Sequence, residues 1–374
     1  MIRRRWMTGA LVLLMAVSVG NAVTIQLDYT YDGGWFASRP QAVTAMEKAA
    51  AAYQPLMDSL PAIEPSGGNT WNAIITQPDT GAELSISNPT IPADTLVVYV
   101  GARDLGAGTL GRGGPGGFGA SGSGNWLETV GQRGQSGEDD TPATDFGPWG
   151  GSIAFDDGSD WNFDVNSLPT SGQSDFYSVA VHELAHVLGF GLSDSWYAHV
   201  DDELLTFDGS ASMVSHGGAV DLDPYLGHWK DNVLSEVGGA SQEAAMAPFL
   251  TTGTRKRLTA LDYAGLADIG WELPLRGDVD LDGRIDFDDA WALLGSLGDG
   301  RIDHAWSEGD LDGDGEVDGD DAAIMVAAWN GPTPPAALMS AVPEPGVFVV
   351  VMLGGLAILS RPMWGRGSAN GSGA

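Results

Sequence analysis

The stretch "VHELAHVLGFGLSDSW", residues 181–196, decides how the chain can be interpreted, because it places metal-ligand side chains on an apolar helix. His182 and His186 are four residues apart, so both imidazoles share one helix face and can reach the same ion. Glu183 lies in the same turn, where its carboxylate can act on a water molecule beside that ion. Gly189 is expected to end the helix and let the chain turn back under the metal.

This H-E-x-x-H spacing is typical of a zinc site with a glutamate as general base. Zinc lowers the pKa of a bound water to about 7, so the carboxylate can take its proton. A catalytic zinc needs a third protein ligand, and the chain has only six histidines. His228, in "LGHWKDN", His199, His216 and Asp194 are the open alternatives, whereas His304 belongs to an aspartate-rich repeat.

Three further features resemble the metzincins, a group of zinc metalloproteases. Gly189 stands at the metzincin spacing after the second histidine. "QEAAMAPFL" resembles the Met-turn, with Met246 as the methionine beneath the metal, and "RKRLTALDYAGLADIGW" resembles the closing helix. The resemblance covers roughly residues 23–272. Leu192, however, occupies the usual position of the third histidine.

The closest resemblance is to the branch that includes leishmanolysin, which inserts a segment before the third histidine. On that basis residues 191–227 are the insert and His228 is the third zinc ligand. The resemblance implies peptide-bond hydrolysis through a zinc-bound water with Glu183 as general base. One departure is Pro248, since some metzincins place a tyrosine there to stabilise the oxyanion.

The segment before the histidine helix mixes strand and helix patterns. "VTIQLDYTY" alternates like a strand, "QAVTAMEKAAAAYQPLMDSL" is helical, and "DTLVVYVGA" is a β-branched run. The glycine-dense residues 106–124 are expected to form a surface loop, and "GGSIAFDDGSDWNF" an edge strand that runs into a loop. We therefore predict an α+β fold over residues 23–273, a metzincin-like twisted sheet with an active-site helix. The glycine-dense stretch and the insert are expected to rim the cleft.

Composition and the N-terminus indicate an exported protein. A net charge of −33 argues against nucleic-acid binding. Cysteine is absent, so no disulfide can contribute stability. Residues 1–22, "MIRRRWMTGALVLLMAVSVGNA", have the basic start, apolar run and small residues of a signal peptide. The expected location is the cell surface or the extracellular space.

Residues 276–331 contain two twelve-residue repeats that predict a calcium-binding module. Loop 1 is "DVDLDGRIDFDD", residues 278–289, and loop 2 is "DLDGDGEVDGDD", residues 310–321. Both place acidic residues at loop positions 1, 3, 5, 9 and 12, as in EF-hand-like calcium loops, and position 7 would bind through its backbone carbonyl. The predicted ligands are Asp278, Asp280, Asp282, Arg284, Asp286 and Asp289 in loop 1, and Asp310, Asp312, Asp314, Glu316, Asp318 and Asp321 in loop 2.

Tandem loops that end in aspartate resemble dockerin type I modules, which are small and all-α. This resemblance implies a cohesin as a possible partner. Between the two loops, "GDGRIDHA" lacks acidic ligands at its first positions and is interpreted as a spacer.

The C-terminal part resembles a sorting signal. Residues 332–342 are expected to be a proline-rich linker. Residues 343–367, with "VPEP" at 342–345, an apolar run and spread arginines, resemble a PEP-CTERM signal. That resemblance implies an exosortase-type sorting enzyme as a partner and at least transient membrane contact.

The sequence therefore favours an exported Zn²⁺- and Ca²⁺-dependent endopeptidase with protein or peptide substrates. The alternative is a non-catalytic calcium-binding surface or matrix protein, or a cohesin-docking protein, that keeps the metal site for structure.

Overall fold

The structure is a computed structural model that describes residues 21–343. The predicted signal peptide lies outside these residues except for Asn21 and Ala22, which form a short strand. The predicted sorting segment lies outside them except for Pro343. Between residues 21 and 343, no helix has both the length and the apolar character needed to cross a membrane.

The described residues form sixteen strands and nine α-helices, together with two short 3-10 helices at Ser136–Asp139 and Trp306–Glu308. The strands are β1 Asn21–Ala22, β2 Thr24–Asp28, β3 Met57–Asp58, β4 Thr70–Thr76, β5 Glu83–Ser87, β6 Thr95–Arg103, β7 Gly111–Pro115, β8 Gly117–Ser121, β9 Gly150–Asp156, β10 Trp161–Asn162, β11 Ser174–Asp175, β12 Val200–Asp201, β13 Thr206–Phe207, β14 Val220–Asp221, β15 Leu234–Val237 and β16 Ala240–Glu243. The helices are α1 Pro40–Ala51, α2 Gly124–Gln132, α3 Phe176–Val187, α4 Asp194–Tyr197, α5 Ser210–His216, α6 Ala260–Asp268, α7 Phe287–Ser296, α8 Gly319–Ala328 and α9 Ala336–Ala341.

A four-stranded sheet in the order β2-β6-β9-β7 carries α1 and α3 on one face. β2, β6 and β9 are parallel, and β7 runs antiparallel to β9. Alternate residues of β6 point to opposite faces, so Val98 and Val100 join the core under the helices. This layer arrangement is compatible with the predicted α+β fold.

A second, three-stranded sheet in the order β5-β4-β8 was missed by the sequence analysis. It packs with α2 against the other face of the first sheet, around Val97, Tyr99, Trp71 and Trp149. The buried alternation Trp71, Ala73, Ile75 in β4 is the sequence signal that could have identified it.

Two sequence expectations about these sheets were wrong. The glycine-dense stretch is not a loop, since it supplies β7 and β8. A β-carbon on Gly116, between these strands, would lie 2.0 Å from the Trp149 ring, so glycine here serves close packing rather than disorder. β9 is not an edge strand either, because β7 pairs along its outer side.

The segment 191–227 begins and ends at the same place in the fold. A β-carbon on Gly191 would lie 2.1 Å from the carbonyl oxygen of Gly227, so the two ends of the segment are in contact. Between them lie α4, α5 and a three-stranded sheet of β12, β13 and β14. Trp196 and Phe207 anchor the segment by stacking at 4.2 Å next to Trp229. The chain therefore reaches His228 just after it returns to the body of the fold.

Residues 276–343, here called the C-terminal module, have a separate hydrophobic core. α7, α8 and α9 pack around Ile285, Val317 and Met325. The predicted linker, residues 332–342, differs from expectation, because it contains α9 and fully buries Leu338 in this core. Burial of its apolar residues favours the helix over the extended conformation that its prolines prefer.

Candidate metal centre

The active-site-like helix α3 is fixed at both ends by side-chain hydrogen bonds. Asp175 is the N-cap, and its carboxylate accepts from the Ser178 amide at 3.1 Å. Arg255 forms a buried ion pair with the same carboxylate at 2.8 Å. At the other end, the Trp271 indole N–H donates to the Leu188 carbonyl at 2.8 Å, and Gly189 follows with φ of 96°. The helix therefore ends before Gly189, as the sequence predicted.

Three histidines converge beside this helix. The Nε2 atoms of His182 and His186 are 3.2 Å apart, and those of His186 and His228 are 3.1 Å apart. Two imidazole nitrogens on one tetrahedral zinc, each about 2.0–2.1 Å from the ion, lie about 3.3 Å from each other. The donor set and its spacing therefore fit a zinc ion.

The outward ring nitrogens of His182 and His186 support the same assignment. Nδ1 of His182 lies 2.9 Å from the Ala245 carbonyl, and Nδ1 of His186 lies 2.8 Å from the Phe190 carbonyl. A carbonyl can only accept, so both Nδ1 atoms carry the proton and both Nε2 atoms keep a free lone pair. Nδ1 of His228 is 3.8 Å from Asp223, whose other carboxylate oxygen accepts the His228 amide.

The surroundings keep these imidazoles neutral. Burial lowers the pKa of His186 and of His228 to about 4, and the pKa of His182 falls well below its usual value for the same reason. The neighbouring imidazoles contribute to the lowered pKa of His182 and of His186. Neutral imidazole is the form that binds a metal, so the cluster is suited to a cation at neutral pH.

The other candidate ligands lie in different surroundings. Asp194 begins α4, His199 is 3.5 Å from Asp208, and His216 ends α5. His304 Nε2 donates to the Asp299 carboxylate at 2.9 Å within the C-terminal module. Among residues 21–343, the histidine cluster contains only the three residues described above.

The side chain of Glu183, on α3, lies against the glycine-rich strand β7. A β-carbon on Gly111 would lie 2.6 Å from Glu183 Oε1, and one on Gly113 would lie 2.4 Å from the Glu183 carbonyl oxygen. Burial raises the pKa of Glu183 to about 8, against the opposing effects of the Gly113 amide and Arg112. β7 thus forms one wall of the site, and its glycines make room for the carboxylate.

Met246 and Asp262 support the cluster from below. The Met246 side chain is fully buried, and its carbonyl accepts from the Trp229 amide, next to His228, at 3.1 Å. The Asp262 carboxylate accepts from the amides of Ala245 and Met246 and from the Trp229 indole at 2.9, 3.2 and 3.1 Å. One buried carboxylate therefore holds the turn behind His182 and the residue after His228. This role of Asp262 was not predicted from the sequence.

The two aspartate-rich loops each bring three carboxylates together, Asp278, Asp280 and Asp282 in loop 1 and Asp310, Asp312 and Asp321 in loop 2. Asp286 and Asp318 instead cap α7 and α8. Burial, followed by the neighbouring aspartates, raises the pKa of Asp312 to about 7. Clustered carboxylates of this kind suit a cation with oxygen ligands, such as Ca²⁺.

Comparison with known proteins bears on the chemistry of α3. A family model described as matrixin matches residues 127–200. The match contains His182, Glu183 and His186 but ends before His228. No curated protein and no solved structure gives a significant match. The matrixin match, together with a three-histidine group that could hold zinc, supports a metallopeptidase of the metzincin type.

Proposed function

We propose that the chain is an exported or cell-surface zinc endopeptidase in which His182, His186 and His228 hold the zinc and Glu183 is the general base. The observation that carries the proposal is the convergence of three neutral imidazoles, with Nε2 atoms 3.1–3.2 Å apart, beside a buried glutamate. A zinc ion held there acts as a Lewis acid that activates water and polarises the scissile carbonyl.

The chain's own residues supply the proton transfer. Glu183 is adjacent in sequence to a zinc ligand, and its Oε1 faces the β7 wall beside Gly111. A buried carboxylate in this position can take a proton from the attacking water and return it to the leaving amine. Pro248 stands where some metzincins have a tyrosine that stabilises the oxyanion, so a bound zinc would supply that stabilisation largely alone or together with another donor.

The calcium loops and the terminal segments complete the proposal. Loops 1 and 2 are proposed to bind Ca²⁺ through the residues predicted above, including the backbone carbonyls of Arg284 and Glu316. Export through residues 1–22 and sorting through residues 343–367 remain proposals that rest on sequence. Cohesin binding is the alternative role for the C-terminal module.

The test uses the full chain loaded with zinc and an unfolded protein as substrate. Wild type is expected to bind about one zinc per chain and to cleave the substrate. Glu183→Gln should keep the zinc and lose activity by about 10²–10⁴-fold, because only the base is removed. Glu128→Gln, an exposed glutamate on α2, is the matched control and should retain activity.

Two outcomes separate the proposal from its alternative. If wild type binds zinc but cleaves nothing, the non-catalytic surface protein is favoured. If Glu183→Gln and wild type cleave equally well, the general base is a different group.

A further inference from the structure

The C-terminal module contacts the rest of the chain through loop 2 and the residues just before it. Lys48 on α1 forms an ion pair with Asp303 at 3.3 Å, and Gln54 accepts from the Ser307 hydroxyl at 2.9 Å. The Gly238 amide, in the β15–β16 turn, donates to the carbonyl of Asp312 in loop 2 at 3.4 Å. The segment interpreted as a spacer is therefore part of an intramolecular interface.

Arg257 also contacts the C-terminal module at this interface. Its Nη2 donates to the Ile302 carbonyl at 2.8 Å. A β-carbon on Gly315, inside loop 2, would lie 2.5 Å from Arg257 Nη1, so the guanidinium lies directly against the loop backbone. Its positive charge also acts on Asp310, the first predicted ligand of loop 2.

The two residues before Arg257 hold the first turn of α3. Arg255 pairs with the N-cap Asp175 at 2.8 Å, and both side chains are almost fully buried. The Lys256 amide donates to the Ser178 hydroxyl at 2.7 Å. Ser178 precedes His182 by four residues, one helical turn. Three consecutive residues therefore connect loop 2 to the helix that carries Glu183 and two of the three histidines.

The interface is held by these polar contacts rather than by continuous packing. A cavity of about 540 Å³ lies between the two parts, lined by Tyr263 and Arg257 on one side and by Asp310 and Ile324 on the other. No residue of loop 1 contributes to the lining of this cavity. A change in the shape of loop 2 can therefore reach the rest of the chain through a small number of polar contacts, and Arg257 makes one of them.

We propose that the metalloprotease-like part of the chain is itself a partner of loop 2, and that Arg257 is a positioning residue that couples calcium in loop 2 to the zinc helix α3. The inference rests on the proposed calcium loops and zinc site. Calcium would hold the clustered carboxylates of loop 2, Asp310, Asp312 and Asp321, around one ion, whereas without calcium their mutual repulsion would loosen the loop. A fixed loop holds Arg257, and through the segment Arg255–Arg257 it holds the N-terminal turn of α3.

The experiment measures how fast zinc leaves the full chain for a zinc-selective chromophoric chelator, with and without Ca²⁺. Calcium binding to each protein is measured separately by titration calorimetry. In wild type, Ca²⁺ is expected to slow zinc loss by at least about fivefold, the lower end of usual couplings between sites. Asp310→Asn in loop 2 should lose this response, and Asp278→Asn, the same position in loop 1, should keep it.

Arg257→Ala tests the positioning role. It should still bind Ca²⁺ but lose the effect of Ca²⁺ on zinc release, and Arg257→Lys should restore only part of it. Arg103→Ala is the matched control, because the Arg103 guanidinium donates to the carbonyls of Gln77 and Pro78, between β4 and β5, rather than to loop 2. Thermal unfolding of each variant shows whether it folds.

The outcomes distinguish this coupling from the proposed function. If wild type binds no Ca²⁺, the proposed calcium loops fail, and the coupling fails with them. If Ca²⁺ binds but Arg257→Ala keeps the full response, or if Asp278→Asn and Asp310→Asn behave alike, the coupling is refuted while the calcium sites stand.

Discussion

Gly111 on β7 lies so close to Glu183 on α3 that a β-carbon at position 111 would be 2.6 Å from the carboxylate oxygen Oε1. The same β-carbon would be 2.8 Å from a methyl group of Val179. Real β-carbons do not approach other atoms this closely, so any side chain here must displace the glutamate or the strand. The glycine-rich strand therefore sets the position of the proposed general base.

Gly111→Ala is expected to reduce peptide cleavage by about 100-fold, because a shift of about 1 Å in a catalytic group has that effect. Zinc content should stay at the wild-type level, since the three histidines are not displaced. Gly119→Ala, in the same glycine-rich stretch, is the control, because a β-carbon there meets nothing within 4 Å. Equal activity of the two variants would contradict the role of Gly111.

His228→Ala is expected to lower zinc affinity by at least about 100-fold and to abolish cleavage, since two ligands remain where three are required. His216→Ala, at the end of the exposed helix α5, and His199→Ala should retain zinc and activity. Zinc per chain, measured after dialysis against a weak chelator, checks all three variants. If His228→Ala keeps its zinc, Asp194 becomes the next ligand to test.

The parts of the site that could be predicted from sequence are those with local causes. The helical spacing of His182 and His186, the cap at Asp175 and the bend at Gly189 all depend on neighbours within a few residues. The spacing of acidic residues within loop 1 and loop 2 is local in the same way.

The remaining features depend on contacts between distant segments. Gly111 and Gly116 look like loop residues by composition, but their lack of a side chain is required by Glu183 and Trp149, far along the chain. The proximity of His228 to α3 depends on the contact between Gly191 and Gly227, which residue spacing alone does not reveal. Arg257 shows no sequence pattern that predicts its contact with loop 2.

Asp262→Asn tests the carboxylate behind the histidine cluster. Asp262 accepts the amides of Ala245 and Met246 and the indole N–H of Trp229, and an asparagine amide would direct N–H groups towards some of these donors. We expect a loss of about 2–3 kcal/mol in the free energy of unfolding. Zinc affinity should also fall, because the Ala245 carbonyl that orients His182 loses its support.

Asp268→Asn is the control for this variant. Asp268 lies at the other end of α6 and accepts the amides of Ala211 and Ser212, at the start of α5. It should lose stability without a loss of zinc affinity. Chemical denaturation and zinc competition together separate the two effects, and the prediction fails if both variants lose zinc equally.

Asp58 makes stability depend on pH. It is 5% exposed; Oδ1 accepts from Gln135 at 2.7 Å, and Oδ2 has no hydrogen-bond partner among the described residues. Burial, together with the charges of Asp145 and Glu272, raises the pKa of Asp58 to about 7 against the opposing hydrogen bonds from Ser59 and Gln135. The pKa of an unfolded aspartate is about 3.9, so the folded protein binds this proton more tightly. The stabilisation that comes from binding this proton is fully present below about pH 4 and is lost as pH rises through about 7.

Asp58→Asn should therefore gain stability relative to wild type between pH 5 and pH 8, by about 1–2 kcal/mol after allowance for solvent screening. The measurement is the thermal unfolding of both proteins at the two pH values. Comparing the two proteins cancels the other titrating groups, which they share. Asp202→Asn, which removes an exposed aspartate, controls for the change in net charge. The contrary outcome is a stability difference between Asp58→Asn and wild type that stays constant from pH 5 to pH 8. It would mean that Asp58 is ionised in the folded protein at both pH values. Its buried Oδ2 would then be stabilised by a partner such as water.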